Sequence, residues 1–161
     1  MEKIRVGFGF DVHCFQAGRE LWLGGIKIAN AKGLQGHSDA DVLIHSLCDA
    51  LLGAANARDI GFHFPNTSSK FENIDSKILL RQTMDLIHAK DYVFGNADIT
   101  VCAEKPRLTP YIPRMKTVLS NAMAADADDI SIKATTSEKM GYVGREEGIA
   151  VYATVLIYKK K

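Results

Sequence analysis

The chain has 161 residues, enough for one ordinary domain and too few for two independent cores. Hydrophobic residues make up 47% and charged residues 24%, the balance of a folded globular protein and not of a disordered one. A net charge of +1 leaves no electrostatic reason to expect nucleic acid or a membrane surface as partner.

Met1–Arg5 runs directly into strand-like sequence without the apolar core of a signal peptide, and no apolar run reaches membrane-spanning length. A cytoplasmic protein beginning near Met1 is expected, folded as a single domain over 1–161. Cys14, Cys48 and Cys102 contain no CxxC pair, so reduced and mostly buried thiols are expected.

Ile4–Phe15 reads as a strand in which Gly7 and Gly9 allow close backbone approach. Leu21–Leu23 and Ile26–Ile28 flank Gly24-Gly25 as a short hairpin, and Ala29–Gly36 reads as a loop. Ser38 is the expected N-cap of a helix over Asp39–Asn56. Asp59–Asn73 reads as a long Gly/Pro/Asn/Ser-punctuated loop of the functional or mobile kind.

A second amphipathic helix is expected over Asp75–Lys90, with Ile78, Leu79, Met84, Leu86 and Ile87 on its core side. Asn96–Ala103 alternates as a strand, and Thr109-Pro110 opens a third helix running to about Ala125. Ile130–Thr135 and Ile149–Tyr158 are the last strands. Strands alternating with helices predict an α/β (α+β) sandwich, a small sheet covered on one face by helices. Its bare face requires a cover, and an oligomer is the economical one.

Asp11-Val12-His13 ends the first strand. Residues i and i+2 share a face there, so Asp11 and His13 are expected to project together while Val12 turns into the core. Asp41, His45 and Asp49 follow at i, i+4 and i+8 as a polar stripe on an otherwise apolar helix. One carboxylate and two imidazoles make three ligands with open positions, the pattern of catalytic zinc, and Asp49 is left to orient an imidazole. The set equally suits a mononuclear iron(II) oxygenase, and a solvated stripe is the plain alternative. Cys14 points to the opposite face from His13 and is not counted as a ligand.

Thr135-Thr136-Ser137 ends a strand in three hydroxyls before Glu138, a hard oxygen ligand for Mg²⁺ or Mn²⁺; a polar strand end and turn would look the same. Arg145, in the glycine-punctuated stretch that follows, is an available anion contact. Ala103-Glu104-Lys105-Pro106-Arg107-Leu108 is a Pro-bounded loop with two cations, and His37-Ser38 stands just before the helix carrying His45.

Gly9-Phe10-Asp11-Val12-His13, Gly36–Val42 with His45, Arg58-Asp59-Ile60-Gly61 with Phe64-Pro65, Lys133–Lys139 and Gly144–Gly148 together resemble the signature segments of the 2-C-methyl-D-erythritol 2,4-cyclodiphosphate synthase family. The resemblance runs in order from about Ile4 to Ile157. It implies a homotrimeric phosphorus-oxygen lyase of the non-mevalonate isoprenoid pathway, with active sites between subunits. The implied reaction converts 4-diphosphocytidyl-2-C-methyl-D-erythritol 2-phosphate to the cyclic diphosphate and CMP.

The resemblance implies Zn²⁺ on Asp11, His13 and His45, with a second divalent cation, Mg²⁺ or Mn²⁺, on Glu138. Asp11, Val12 and His13 would also contact the substrate. His37, Ser38, Asp59, Ile60 and Gly61, with the loop Phe64, Pro65, Asn66, Thr67 and Ser68, would face the methylerythritol phosphate. Ala103, Glu104, Lys105, Pro106, Arg107, Leu108 and Thr109, with Thr135, Thr136, Ser137 and Glu138, would hold the cytidine and its phosphates, and Tyr142 and Arg145 match further contact positions. His37 and Thr136 match the residues that stabilise the transition state. Asn66, Ser68, Arg107, Ser137 and Tyr142 depart from residues common in the family, with polarity or shape preserved.

Overall fold

The computed structural model describes residues 3–159. A five-stranded sheet runs in the order β4-β1-β7-β5-β6, built from β1 (Ile4–Ala17), β4 (Lys32–Leu34), β5 (Tyr92–Cys102), β6 (Ile130–Thr135) and β7 (Gly148–Lys159). β5 and β6 are parallel, joined across α4 (Ile112–Met123), and the remaining neighbours are antiparallel. α1 (Val42–Ala54) and α3 (Ser76–His88) lie with α4 on one face of the sheet. The expected one-sided sandwich is therefore present. No helix of the described residues is long and apolar enough to cross a membrane.

α1 is buried almost all round: Val42, Leu43, Ile44, Leu47, Cys48, Leu51 and Leu52 are fully enclosed, as befits a helix apolar on every side. It rests directly on β1. A Cβ placed on Gly7 would lie 1.9 Å from the carbonyl oxygen of Ala50, and one on Gly9 would lie 2.0 Å from that of Ser46. Only glycine permits this seam, and the seam brings the end of β1 beside the first turns of α1.

β2 (Leu21–Leu23) and β3 (Ile26–Ile28) form the expected hairpin, turned by Gly24 and Gly25, both at positive φ. Their backbone N–H groups donate to Asp41 at 2.9 and 2.6 Å. Asp41 also accepts from Ile44 at 3.1 Å and is the N-cap of α1 in place of Ser38. It is wholly buried, not part of an exposed stripe. Burial and the neighbouring Asp39 carboxylate push its pKa up, against the three backbone donors.

Several other local expectations shift. The loop after Ile28 contains β4, whose pairing with the end of β1 is long-range. The stretch Asp59–Asn73 holds a helical turn, α2 (Ile60–His63), and a 3-10 turn at Ser69–Phe71. Thr109-Pro110 lies in a turn ahead of α4, whose first turn holds Pro113 instead. On α3, Leu80 and Thr83 are buried while Ile78 is exposed. A further helical turn, α5 (Gly141–Gly144), precedes β7. Of the cysteines only Cys48 is buried, and burial pushes its thiol up to about 12; Cys14 is exposed and Cys102 intermediate.

Val12 turns away from the core. Because Gly7, Gly9, Asp11 and His13 face the helices, alternation sends Ile4, Val6, Phe8, Phe10 and Val12 to the bare face, where they are 41–66% exposed. Tyr152 of β7 joins them, its ring 5.0 Å from that of Phe10. An apolar stripe of this extent on a sheet is a surface built for burial.

Candidate functional site

Asp11, His13 and His45 converge. Nε2 of His13 lies 3.0 Å from Oδ2 of Asp11, Nδ1 of His45 lies 3.2 Å from the same oxygen, and the two nitrogens are 3.3 Å apart. Ligands on a tetrahedral zinc with bonds of about 2.0–2.1 Å would be roughly 3.3–3.4 Å apart. The three atoms thus already stand close to the spacing of one triangular face of such a shell. Among the described residues no fourth His, Cys, Asp or Glu joins them.

Second contacts aim the imidazoles. Nδ1 of His13 donates to the carbonyl of Gln35, which leaves Nε2 to face the centre, as a donor to Asp11 when protonated and as a ligand when a cation takes the proton's place. Nε2 of His45 is 3.2 Å from the hydroxyl of Ser38 and 3.0 Å from that of Ser76. Burial disfavours charge on both Asp11 and His13, yet their mutual hydrogen bond prevails. It holds Asp11, aided by His45, well below the usual carboxylate range and lifts His13 above its ordinary value. A cation entering the site would displace that proton.

Asp49 does not orient an imidazole. Its carboxylate accepts the backbone N–H of Ile60 at 2.7 Å and so pins the start of α2. Burial raises its pKa despite that bond. Cys14 faces away from the centre, as its place on β1 implies, and its thiol donates to the side chain of Gln35. His63 is held by the carbonyl of Ala57 at 2.7 Å, and His88 is exposed.

A cleft of about 420 Å³ opens over the triad. His37, Ser38, Ile60, Gly61, Phe64, Pro65, Asn66 and Thr67 line it, with Asp59 capping α2 at its edge through the N–H of Phe62. The carbonyl of Ser68 lies 3.3 Å from Nε2 of His37. Phe71, Ile74 and Leu79 also line the cleft. These three carry no polar signal, and a buried helix position such as Leu79 reads as ordinary core from sequence.

The segments expected to hold the cytidine gather elsewhere. Ala103, Glu104, Pro106, Arg107, Leu108, Thr109, Thr135 and Thr136 line a separate cleft of about 230 Å³. Glu104 is committed to structure: one carboxylate oxygen accepts the N–H groups of Ser137 and Lys139 at 3.0 and 3.2 Å and the Ser137 hydroxyl at 3.2 Å. Some desolvation notwithstanding, these bonds hold its carboxyl below the ordinary value. Thr136 donates to Glu138 at 2.9 Å. Lys105 pairs with Glu146 and Arg145 with Glu147, while Tyr142 stays partly exposed on α5.

The two clefts share one end of the sheet but not one strand. Asp11 stands opposite Val151, Val151 opposite Val101, and Val101 opposite Ala134, the residue before Thr135. Three strand spacings of about 4.8 Å separate them, roughly 14 Å. Glu138 is not among the ligand atoms gathered at the triad.

The family model described as YgbB family matches residues 4–158. A relative from Phocaeicola vulgatus named 2-C-methyl-D-erythritol 2,4-cyclodiphosphate synthase is 67% identical over 157 residues, spanning 98% of each chain. Its namesake from Bacteroides fragilis is 66% identical over 155 residues, 96% of this chain and 98% of that one. Among solved structures, the CDP complex of IspF from Plasmodium falciparum aligns with a TM-score of 0.87 at 35% identity, covering 100% of this chain and 99% of that one. The bifunctional IspDF of Campylobacter jejuni aligns at 0.96 and 42% identity, covering 100% of this chain and 44% of that longer one. The chain belongs to the YgbB family, among the 2-C-methyl-D-erythritol 2,4-cyclodiphosphate synthases.

Proposed function

We propose that the chain converts 4-diphosphocytidyl-2-C-methyl-D-erythritol 2-phosphate to 2-C-methyl-D-erythritol 2,4-cyclodiphosphate and CMP. The observation carrying this reading is the ligand triangle of Asp11, His13 and His45, whose two imidazoles line a cleft, in a chain of this family. An oxygen of the 2-phosphate attacks the β-phosphorus; the bond from that phosphorus to the bridging oxygen breaks, and CMP leaves with the electron pair. Both partners are anionic, so the site must screen repulsion and hold an in-line geometry.

Asp11, His13 and His45 would hold zinc and Glu138 a Mg²⁺ or Mn²⁺ ion, cations that supply Lewis-acid polarisation and charge neutralisation on the phosphates. His37 and Ser38 stand beside the triad as polar contacts for the reacting phosphate, and Ile60, Phe64 and Leu79 give the cleft an apolar wall for the carbon skeleton. Thr136 and the hydroxyls beside it belong to the cytidine diphosphate side. A well-aimed donor such as His37 or Thr136 contributes about 3–4 kcal/mol where charge develops.

The reading includes a homotrimer, with the triad cleft of one subunit completed by the Thr135–Glu138 segment of its neighbour. The roughly 14 Å between these segments in one chain supports this, because a diphosphate is too short to join them. So does the apolar stripe on the bare sheet face. Phe8→Glu is expected to turn a species of three chains into monomers in analytical ultracentrifugation and to abolish turnover; an intact trimer in that variant would remove the stripe from the interface.

Incubation with the diphosphocytidyl substrate and Mg²⁺, followed by phosphorus NMR, tests the activity. CMP with a cyclic diphosphate is expected. Linear phosphates would indicate a hydrolase, and oxygen consumption an iron enzyme.

A further inference from the structure

His45 needs a bare Nδ1 to act as a ligand, and two hydroxyls compete to set its tautomer. The Ser38 hydroxyl accepts the N–H of Ala40 at 3.1 Å and can either donate to Nε2 of His45 or accept from it. Ser38 therefore suits both tautomers and selects neither.

Ser76 is different. It is fully buried, and its hydroxyl donates to Oδ1 of Asp39. Asp39 is itself fixed by two backbone donors, Ser76 N–H to Oδ2 at 2.9 Å and Asp41 N–H to Oδ1 at 3.1 Å. With its hydrogen committed to the carboxylate, Ser76 turns only lone pairs toward Nε2 of His45, 3.0 Å away. A lone pair on that nitrogen would face an oxygen lone pair across the contact. A hydrogen on Nε2 satisfies that contact, and a cation held by Nδ1 beside Asp11 and His13 requires the hydrogen to be there. Without a cation, Asp11 competes for it by accepting from Nδ1 at 3.2 Å.

We propose that Asp39 and Ser76 form a positioning pair that holds His45 in its Nε2–H tautomer and presents Nδ1 to the metal. The proposal rests on the reading of Asp11, His13 and His45 as a cation site. The pair spans two elements, since Asp39 precedes α1 and Ser76 opens α3. The docking of α3 thus sets the aim of a ligand carried by α1. Gln35 does the corresponding work at His13 through a backbone carbonyl, which no side-chain substitution there removes. Only the His45 half of the arrangement depends on replaceable side chains.

Ring-nitrogen NMR on the zinc-loaded wild-type protein reads the bond from His45 to Ser76 without any substitution. A hydrogen on Nε2 of His45 that is protected from solvent exchange is expected; one that exchanges as freely as that of an exposed imidazole overturns the proposal. Zinc affinity by chelator competition supplies the second arm, on wild type, Ser76→Ala and Asp39→Asn, with circular dichroism as the folding control. In Asp39→Asn the new carboxamide can turn its NH₂ toward Ser76, freeing the serine hydrogen for His45 and favouring the wrong tautomer. Each variant is expected to bind zinc roughly 10- to 100-fold more weakly, the usual effect of losing an orienting partner. The ring signals should change at His45 and not at His13, a selectivity that general loosening would not produce. Folded variants with wild-type affinity overturn the pair and leave the cation site standing. A wild-type protein that binds no divalent cation overturns both.

Discussion

His45→Ala is expected to bind no stoichiometric zinc and to lose more than ~100-fold in turnover, beyond the upper end of what losing a mere orienting partner costs. The fold should survive. Position 45 lies inside α1, where alanine is the best helix former, and the imidazole contributes contacts to the site more than to the core. Asp11 and His13 would remain 3.0 Å apart on β1 but would offer only two ligands from one strand. Metal analysis of the purified variant, with its circular dichroism spectrum, checks this. Wild-type zinc content would remove His45 from the centre.

Gly9→Ala should damage stability and activity together. The new Cβ would sit 2.0 Å from the carbonyl oxygen of Ser46 and 2.7 Å from the backbone nitrogen of Ala50, so no rotamer relieves the clash. Backbone must move, at a cost of about 3 kcal/mol for overpacking of this kind. For a chain of this size that lowers Tm by roughly 6–12 °C. The displaced seam also separates β1, which carries Asp11 and His13, from α1, which carries His45. Zinc affinity should therefore fall even below the melting transition. A Gly9→Ala protein with unchanged Tm would mean the seam is slack.

The triad is legible in the sequence because its signals are local. Asp11 and His13 share a strand face at i and i+2, and His45 breaks the apolar pattern of a helix that is otherwise buried. The seam glycines and the Gly24-Gly25 turn are legible for the same reason. What escapes the sequence is long-range. Nothing near Asp49 says that its carboxylate meets the N–H of Ile60, and nothing near Ser76 says that its hydroxyl meets an imidazole 31 positions earlier. Val12 lies on the face opposite to the expected one because alternation fixes which residues share a side, not which side the helices cover. The seam makes that choice: the face with Gly7 and Gly9 is the one a helix backbone can approach. Phe71, Ile74 and Leu79 are apolar side chains whose pattern is the same whether they line a cleft or fill a core.

Glu138 poses a different problem, since its proposed place beside the triad belongs to a neighbouring subunit and not to its own chain. Mixing two impaired proteins tests this directly. His45→Ala lacks a triad ligand but keeps Glu138; Glu138→Gln keeps the triad but loses its carboxylate. Unfolded together and reassembled at equal amounts, they should regain formation of the cyclic diphosphate, because about one site in four in a ring of heterologous contacts would combine an intact triad with an intact neighbour. A mixture no more active than either protein alone would contradict a site shared between subunits.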